Sequence, residues 1–248
     1  MKTALITGAS SGIGEAIARI LAENNYNLII CGRREERLIN LQAELSARVK
    51  ADYLIFDVRD RDKVKEILGP VVNERNIDVL INNAGNAHGL APIQQGELDD
   101  WDAMIDGNVK GLLYVSKIII PQMVERNDGH IINIGSIAGK EVYPNGNVYC
   151  ASKHAVDAIN NGMRMDLNQF GIKVSQISPG LVETEFSQVR FKGDEARAAT
   201  VYDNLEALQA IDIAEVALFM LSRPDHVNIS DVIVLPKAQA SATVVKRN

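Results

Sequence analysis

Tyr149 and Lys153 stand four residues apart in a segment with helical spacing, so their side chains project from one face, one turn apart. A free phenol, with a pKa of about 10, exchanges protons poorly at neutral pH, and a neighbouring ammonium favours its ionised form. The pair is a candidate acid/base for a hydroxyl or carbonyl group. Ser136 lies thirteen residues upstream, at the end of the apolar run in Asn133-Ile134-Gly135-Ser136. Its hydroxyl can donate to the same substrate oxygen and hold it in place. Each feature also has a plainer reading: a long helix meets Tyr-x-x-x-Lys by accident, and a serine after a strand caps a turn.

A glycine-rich turn supplies the second piece. Thr7-Gly8-Ala9-Ser10-Ser11-Gly12-Ile13-Gly14 follows a short apolar run and leads straight into a helical pattern. Glycines between strand and helix let the chain turn sharply and let a pyrophosphate reach the backbone amides of the helix N-terminus. The spacing is Gly-x-x-x-Gly-x-Gly, with Gly8, Ser10, Ser11, Gly12, Ile13 and Gly14 as candidate contacts. The next strand ends in Cys31-Gly32-Arg33-Arg34. Where NAD-binding domains carry an acidic residue for the adenosine ribose, this chain has Gly32 and then two guanidinium groups, which suit a 2′-phosphate. The expected cofactor is NADP, bound in part by Arg33 and Arg34. The alternative is that both arginines belong to a solvated first helical turn.

The elements that must position these residues are legible as alternation. Apolar, β-branched runs at 4–7, 28–31, 53–56, 79–82, 130–134, 174–177 and 232–235 predict strands. Helical spacing recurs at 12–23, 35–47, 61–73, 98–125, 149–170 and 213–221. Strands apolar on both faces, each followed by a helix, predict an α/β fold: a doubly wound, Rossmann-type parallel sheet of seven strands with helices on both faces. The absence of repeats and linkers makes 1–248 a single domain, with one irregular, polar stretch at about 183–202 long enough to serve a site as a loop. After the last strand, 237–248 contains little that could pack, and is expected to fray or to meet a neighbouring subunit.

Composition excludes several function classes. The 248 residues carry a net charge of −6 without a basic run, which argues against nucleic acid as a partner. No apolar run approaches the roughly 18 residues of a membrane span, and the start reads as a strand rather than a signal peptide, so a cytoplasmic protein is expected. The four histidines and two cysteines have no metal-ligand spacing, so neither a metal nor a disulfide is expected.

Taken together, these motifs resemble the short-chain dehydrogenase/reductase family, in order and spacing across nearly the whole chain. Asn82-Asn83-Ala84-Gly85 after the fourth strand, Asn108 in Asn108-Val109-Lys110-Gly111, and Pro179-Gly180 belong to the same pattern. The resemblance implies a catalytic tetrad of Asn108, Ser136, Tyr149 and Lys153, with Asn108 binding a water that links the lysine to solvent. It implies cofactor contacts from Asp57 to the adenine amino group, Val58 to the ring face, and Asn83, Ala84 and Gly85 along the cleft. Tyr149 and Lys153 count among those contacts too. Pro179, Gly180, Val182 and Thr184 are expected at the nicotinamide end. It also implies a homotetramer.

A narrower likeness lies in Gly180-Leu181-Val182-Glu183-Thr184-Glu185-Phe186-Ser187 and Val189-Arg190-Phe191-Lys192-Gly193-Asp194. This stretch resembles the NADP-dependent 3-hydroxy acid dehydrogenases, which act on serine, allo-threonine and similar acids. The implied function is hydride transfer between nicotinamide and a small 3-hydroxy acid or its carbonyl product. Ser136 and Tyr149 would hold the reacting oxygen, and Arg190, or else Lys192, the carboxylate. Two alternatives stand beside it: a 3-oxoacyl-thioester reductase with the same tetrad, and a non-catalytic NADP-sensing module. An adenosyl-cofactor methyltransferase also places glycines after its first strand, but gives the Tyr-Lys pair no role.

Overall fold

The apolar runs become the strands of one sheet. In the computed structural model, which describes residues 1–247, β1 (Thr3–Thr7), α1 (Gly12–Glu23), β2 (Asn27–Gly32), α2 (Glu35–Leu45), β3 (Ala51–Ile55), α3 (Arg61–Glu74) and β4 (Val79–Asn82) make the first half. The second half runs α4 (Leu98–Ile105), α5 (Leu112–Arg126), β5 (His130–Ile134), α6 (Asn147–Leu167), β6 (Lys173–Pro179), β7 (Val182–Glu183), α7 (Phe186–Arg190), α8 (Glu195–Thr200), β8 (Leu208–Gln209), α9 (Ala210–Leu221) and β9 (Asp231–Val234). Seven strands pair in parallel in the order β3-β2-β1-β4-β5-β6-β9.

Alternation along each strand builds two cores. Ala4 and Ile6 of β1 face Ile17 and Leu21 of α1, Leu38 of α2 and Ile213 of α9. Leu5 points the other way, into a layer made by Leu68 of α3, Val115 and Ile119 of α5, and Leu167 of α6. The strand order reverses between β1 and β4, which opens a crevice beyond the carboxyl ends of the strands. Among the described residues, no helix is long and apolar enough to cross a membrane.

Two expectations are corrected, and one is refined. The helix expected over 98–125 runs without interruption, but its middle, Asp106–Gly111, is π-helical and divides α4 from α5. Within it the Asn108 side chain is bonded to the backbone of Asn86 and to Ser152, contacts a sequence period cannot register. The stretch 183–202 is ordered into α7 and α8, and β7 at its start pairs with β8 beyond its end, elements too short to carry a periodic signature; α8 starts where Asp194 accepts from the Arg197 amide at 3.0 Å. The segment after β9 packs rather than frays. Gln239 is buried and accepts from the Leu181 amide at 2.9 Å, and Lys246 N bonds Ala238 O at 2.8 Å. The expectation for Asn248 lies outside the described residues.

The sheet also holds a titratable group. His130 on β5 is buried, with Nε2 2.9 Å from Ser175 Oγ, and burial, helped by Lys173 and Lys2, pushes its pKa down to about 3. The unfolded imidazole titrates near 6.5, so below that pH the unfolded chain binds the extra proton. The stability from a neutral His130 is complete above about pH 6.5 and falls on acidification, until the folded pKa is reached. Urea unfolding at pH 7 and pH 5 is expected to show wild type losing about 2 kcal/mol more than His130→Asn does. Equal losses would remove His130 from the account.

Candidate active site

The glycine turn sits between β1 and α1 with Gly8 and Gly12 at φ of +66° and +56°, the left-handed region that disfavours side chains. The segment after β4 braces it. The amides of Asn83 and Ala84 both donate to Thr7 Oγ1 at 3.0 Å, and Asn83 Nδ2 donates to the carbonyls of Thr7 and Gly8 at 2.9 and 3.2 Å. A Cβ on Gly14 would run into that asparagine and into Gly8, so this glycine serves the close approach of the two segments. Behind them, buried amides run from Asn82 to Asn133 and on to Asn160, fastening β4, β5 and α6.

A cleft of about 470 Å³ follows the carboxyl ends of the strands. It starts at Arg33, Arg34, Asp57 and Val58, passes Gly8, Ser10, Ser11, Gly12 and Ile13, and ends among Ser136, Tyr149, Lys153, Thr184 and Arg190. Asn83, Ala84, Gly85, Pro179, Gly180 and Val182 also line it. Gly14 and Asn108 do not; they stand behind the wall and shape it.

At the first end the charges are already paired. Arg34 donates from Nε to Ser10 Oγ at 3.2 Å and from Nη2 to Ser11 Oγ, joining the arginine to the glycine turn. Its Nη1 meets Glu185 Oε2 at 2.7 Å, and Arg37 meets Glu185 Oε1 at 2.7 Å. Arg33 lies 3.5 Å from Asp57, whose oxygens receive Arg59 at 2.7 to 3.1 Å. Burial pulls the Asp57 pKa up, but the hydrogen bonds and charge of Arg59, with Arg33, hold it below the usual carboxylate range. Sequence reasoning missed Arg37, Arg59 and Glu185. The first could have been found by its i+3 spacing from Arg34; Glu185 gave no local signal.

At the other end, Tyr149 and Lys153 come from the first two turns of α6 and are both buried. Burial pushes the Tyr149 phenol up, with Tyr143 adding to the shift, while the hydrogen bond with Ser136 and the charge of Arg190 pull it back. Lys153, one turn along the helix, donates from Nζ to the Ile134 carbonyl at 3.0 Å, and burial takes its pKa down to about 8. Ser136 follows β5, and its Oγ accepts from the Ala138 amide at 3.1 Å. Asn108 is joined to Asn86 on both sides, accepting from its amide at 2.7 Å and donating to its carbonyl at 2.8 Å. A Cβ on Gly85 would lie between Asn108 Oδ1 and Lys153 Nζ, at 2.9 and 3.7 Å.

Arg190 ends α7 directly over this group. Its guanidinium carbon is 5.6 Å from the ring centres of both Tyr143 and Tyr149, and its Nε donates to the Gly89 carbonyl at 3.1 Å. Phe186, on the same helix, packs on Tyr149 with ring centres 5.7 Å apart. Lys192, the other candidate cation, pairs with Asp100 at 2.9 Å and does not line the cleft. A tyrosine beside a serine hydroxyl, under a cation and at the end of a long cleft, can exchange a proton with an oxygen on an anionic substrate.

Known proteins share this arrangement of the chain. The short chain dehydrogenase family profile matches residues 2–195. An NADP-dependent 3-hydroxy acid dehydrogenase, YdfG, from Salmonella typhi is 47% identical over 240 residues, 96% of either chain. Sulfoacetaldehyde reductase 2 from Chromohalobacter salexigens is 42% identical over 247 residues, 98% of either chain. Among solved structures, the closed form of serine dehydrogenase complexed with NADP+ superposes with a TM-score of 0.92 at 43% identity, covering 99% of each chain. With the parallel sheet, the crevice at its reversal point and this likeness over almost its full length, the chain belongs to the short-chain dehydrogenase family.

Proposed function

We propose that the protein is an NADP-dependent oxidoreductase that interconverts a small 3-hydroxy acid, of the serine or allo-threonine kind, and its carbonyl product. The observation that carries the reading is Arg190, a guanidinium held over the Tyr149 ring, where an alcohol bearing a carboxylate needs its cation. The relatives support it: one is named for 3-hydroxy acids and NADP, another is a serine dehydrogenase with NADP+.

The cleft fits the cofactor through its glycine cradle at one side and Arg33 and Arg34 at the end. Ser10, Ser11, Gly12 and Ile13 would flank the pyrophosphate and Asp57 and Val58 the adenine, with Asn83, Ala84 and Gly85 along the cleft floor. Pro179, Gly180, Val182 and Thr184 would receive the nicotinamide end. The nicotinamide, when bound, supplies the hydride acceptor or donor; the chain's own groups handle the proton. Ser136 holds the substrate oxygen, and Tyr149, as phenolate, takes the hydroxyl proton during oxidation and returns it during reduction. Lys153 lies one turn along α6 as the buried cationic partner, with Asn108 fixed behind it by Asn86 and Ser152. No nucleic acid or membrane partner enters this reading. The protein works as one domain in the cytoplasm, as a homotetramer, the assembly the family resemblance implies.

Supplying serine, allo-threonine and other 3-hydroxy acids with NADP+, and an acetoacetyl thioester or sulfoacetaldehyde with NADPH, tests the function by absorbance of the reduced nicotinamide. Fastest turnover on the 3-hydroxy acids is expected; preference for the thioester would instead make the protein a 3-oxoacyl reductase. Arg190→Ala separates the substrate contact further. It is expected to raise KM for the hydroxy acid by about tenfold, roughly 1.4 kcal/mol, and to spare an uncharged alcohol of similar size. If both substrates suffer equally, Arg190 shapes the loop and does not read the carboxylate.

A further inference from the structure

Glu185 lies at the start of α7, on the segment that carries Arg190 to the substrate end, yet its carboxylate reaches across the cleft to the cofactor end. One oxygen takes Arg34 Nη1 at 2.7 Å; both take Arg37 Nη1, at 2.7 and 2.9 Å. The hydrogen bonds of Arg34, followed by those of Arg37, hold the Glu185 pKa below the usual carboxylate range, so it is charged at neutral pH. Of the five N–H groups of Arg34, one each goes to Ser10, Ser11 and Glu185, which leaves two among the described residues. A 2′-phosphate drawn to Arg34 therefore meets a carboxylate bonded to the same guanidinium. Whether the phosphate takes the two remaining N–H groups or displaces the carboxylate, the interaction between the two anions has one sign.

We propose that Glu185 is a counter-charge set against the 2′-phosphate: it weakens binding of the phosphorylated cofactor at Arg34, and so sets how strongly the chain prefers NADP over NAD. The proposal rests on the NADP reading above. Linkage makes the effect reciprocal: phosphate at Arg34 weakens, by the same factor, the tie that fastens the start of α7 to α2. The cost in cofactor affinity is the counterpart of a fixed substrate segment.

Calorimetric titration at low ionic strength tests this without turnover, using adenosine 2′,5′-bisphosphate and adenosine 5′-monophosphate as probes of wild type and Glu185→Gln. The variant is expected to bind the bisphosphate about fivefold more tightly, with the monophosphate changed by less than about twofold, and added salt should shrink the difference. Unchanged or weaker bisphosphate binding by a variant that melts normally overturns the proposal, since Glu185 would then only orient the arginines. Equal tightening of both probes overturns it too. Wild type that fails to prefer the bisphosphate over the monophosphate removes the NADP reading, and the proposal with it; a preference retained by wild type isolates any failure to Glu185.

Discussion

Tyr149→Phe is expected to lower turnover by about 100-fold or more while leaving cofactor binding nearly unchanged. The substitution removes one hydroxyl and keeps the ring that packs on Phe186 and lies under Arg190, so the wall of the cleft is preserved. What disappears is the proton acceptor for the substrate alcohol. The pH profile carries a second test. Oxidation needs the phenolate, and burial pushes this phenol up, so the wild-type oxidation rate should climb from neutral into alkaline pH as Tyr149 ionises. In Tyr149→Phe that climb should vanish along with the rate. Binding of NADPH, followed by its fluorescence, should differ by less than about threefold, since no charged contact is lost. Near-normal turnover, or an unchanged alkaline climb in the variant, would sink the assignment of Tyr149 as the acid/base.

The pair that makes this test possible was legible because its information is local: four residues along a helix fix two side chains on one face. The seven principal strands were legible for a similar reason: the central ones, buried on both faces, are continuous apolar runs, the half-exposed edge strands β3 and β9 are short apolar runs too, and all seven expected runs became strands of the sheet. What the sequence could not show is set by distance or by short length. The π-helical stretch at Asp106–Gly111 is a one-turn departure inside an otherwise apolar helical pattern. The helices α7 and α8 span five and six residues, too few for a period to repeat twice. Glu185 is 151 residues from Arg34 and 148 from Arg37, and Gln239 is 58 from Leu181; such pairings appear only when the sheet has brought its strand ends together. The electrostatics of Tyr149 belong to the same class, because burial and Arg190 act on it from elements remote in the chain.

Replacing Arg33 and Arg34 together with alanine is expected to weaken NADP+ by about 30- to 150-fold while weakening NAD+ only a few-fold. The larger effect follows from losing two charge-assisted contacts to a phosphate dianion, each contributing about 1–1.5 kcal/mol at this exposed rim. The smaller one follows from a contact that both cofactors share: Arg34 bonds Ser10 and Ser11, so its loss also loosens the glycine turn beneath the pyrophosphate. The single variants divide these contributions. Among the described residues Arg33 has only the distant Asp57 as a partner, at 3.5 Å, and Arg59 already holds that carboxylate, so Arg33→Ala should weaken NADP+ and leave NAD+ essentially alone. Arg34→Ala should weaken both, NADP+ the more. Dissociation constants for the two cofactors, measured on all three variants at one ionic strength, decide the matter. Equal losses of NADP+ and NAD+ in the double variant would mean that the arginines support the turn and do not read the 2′-phosphate.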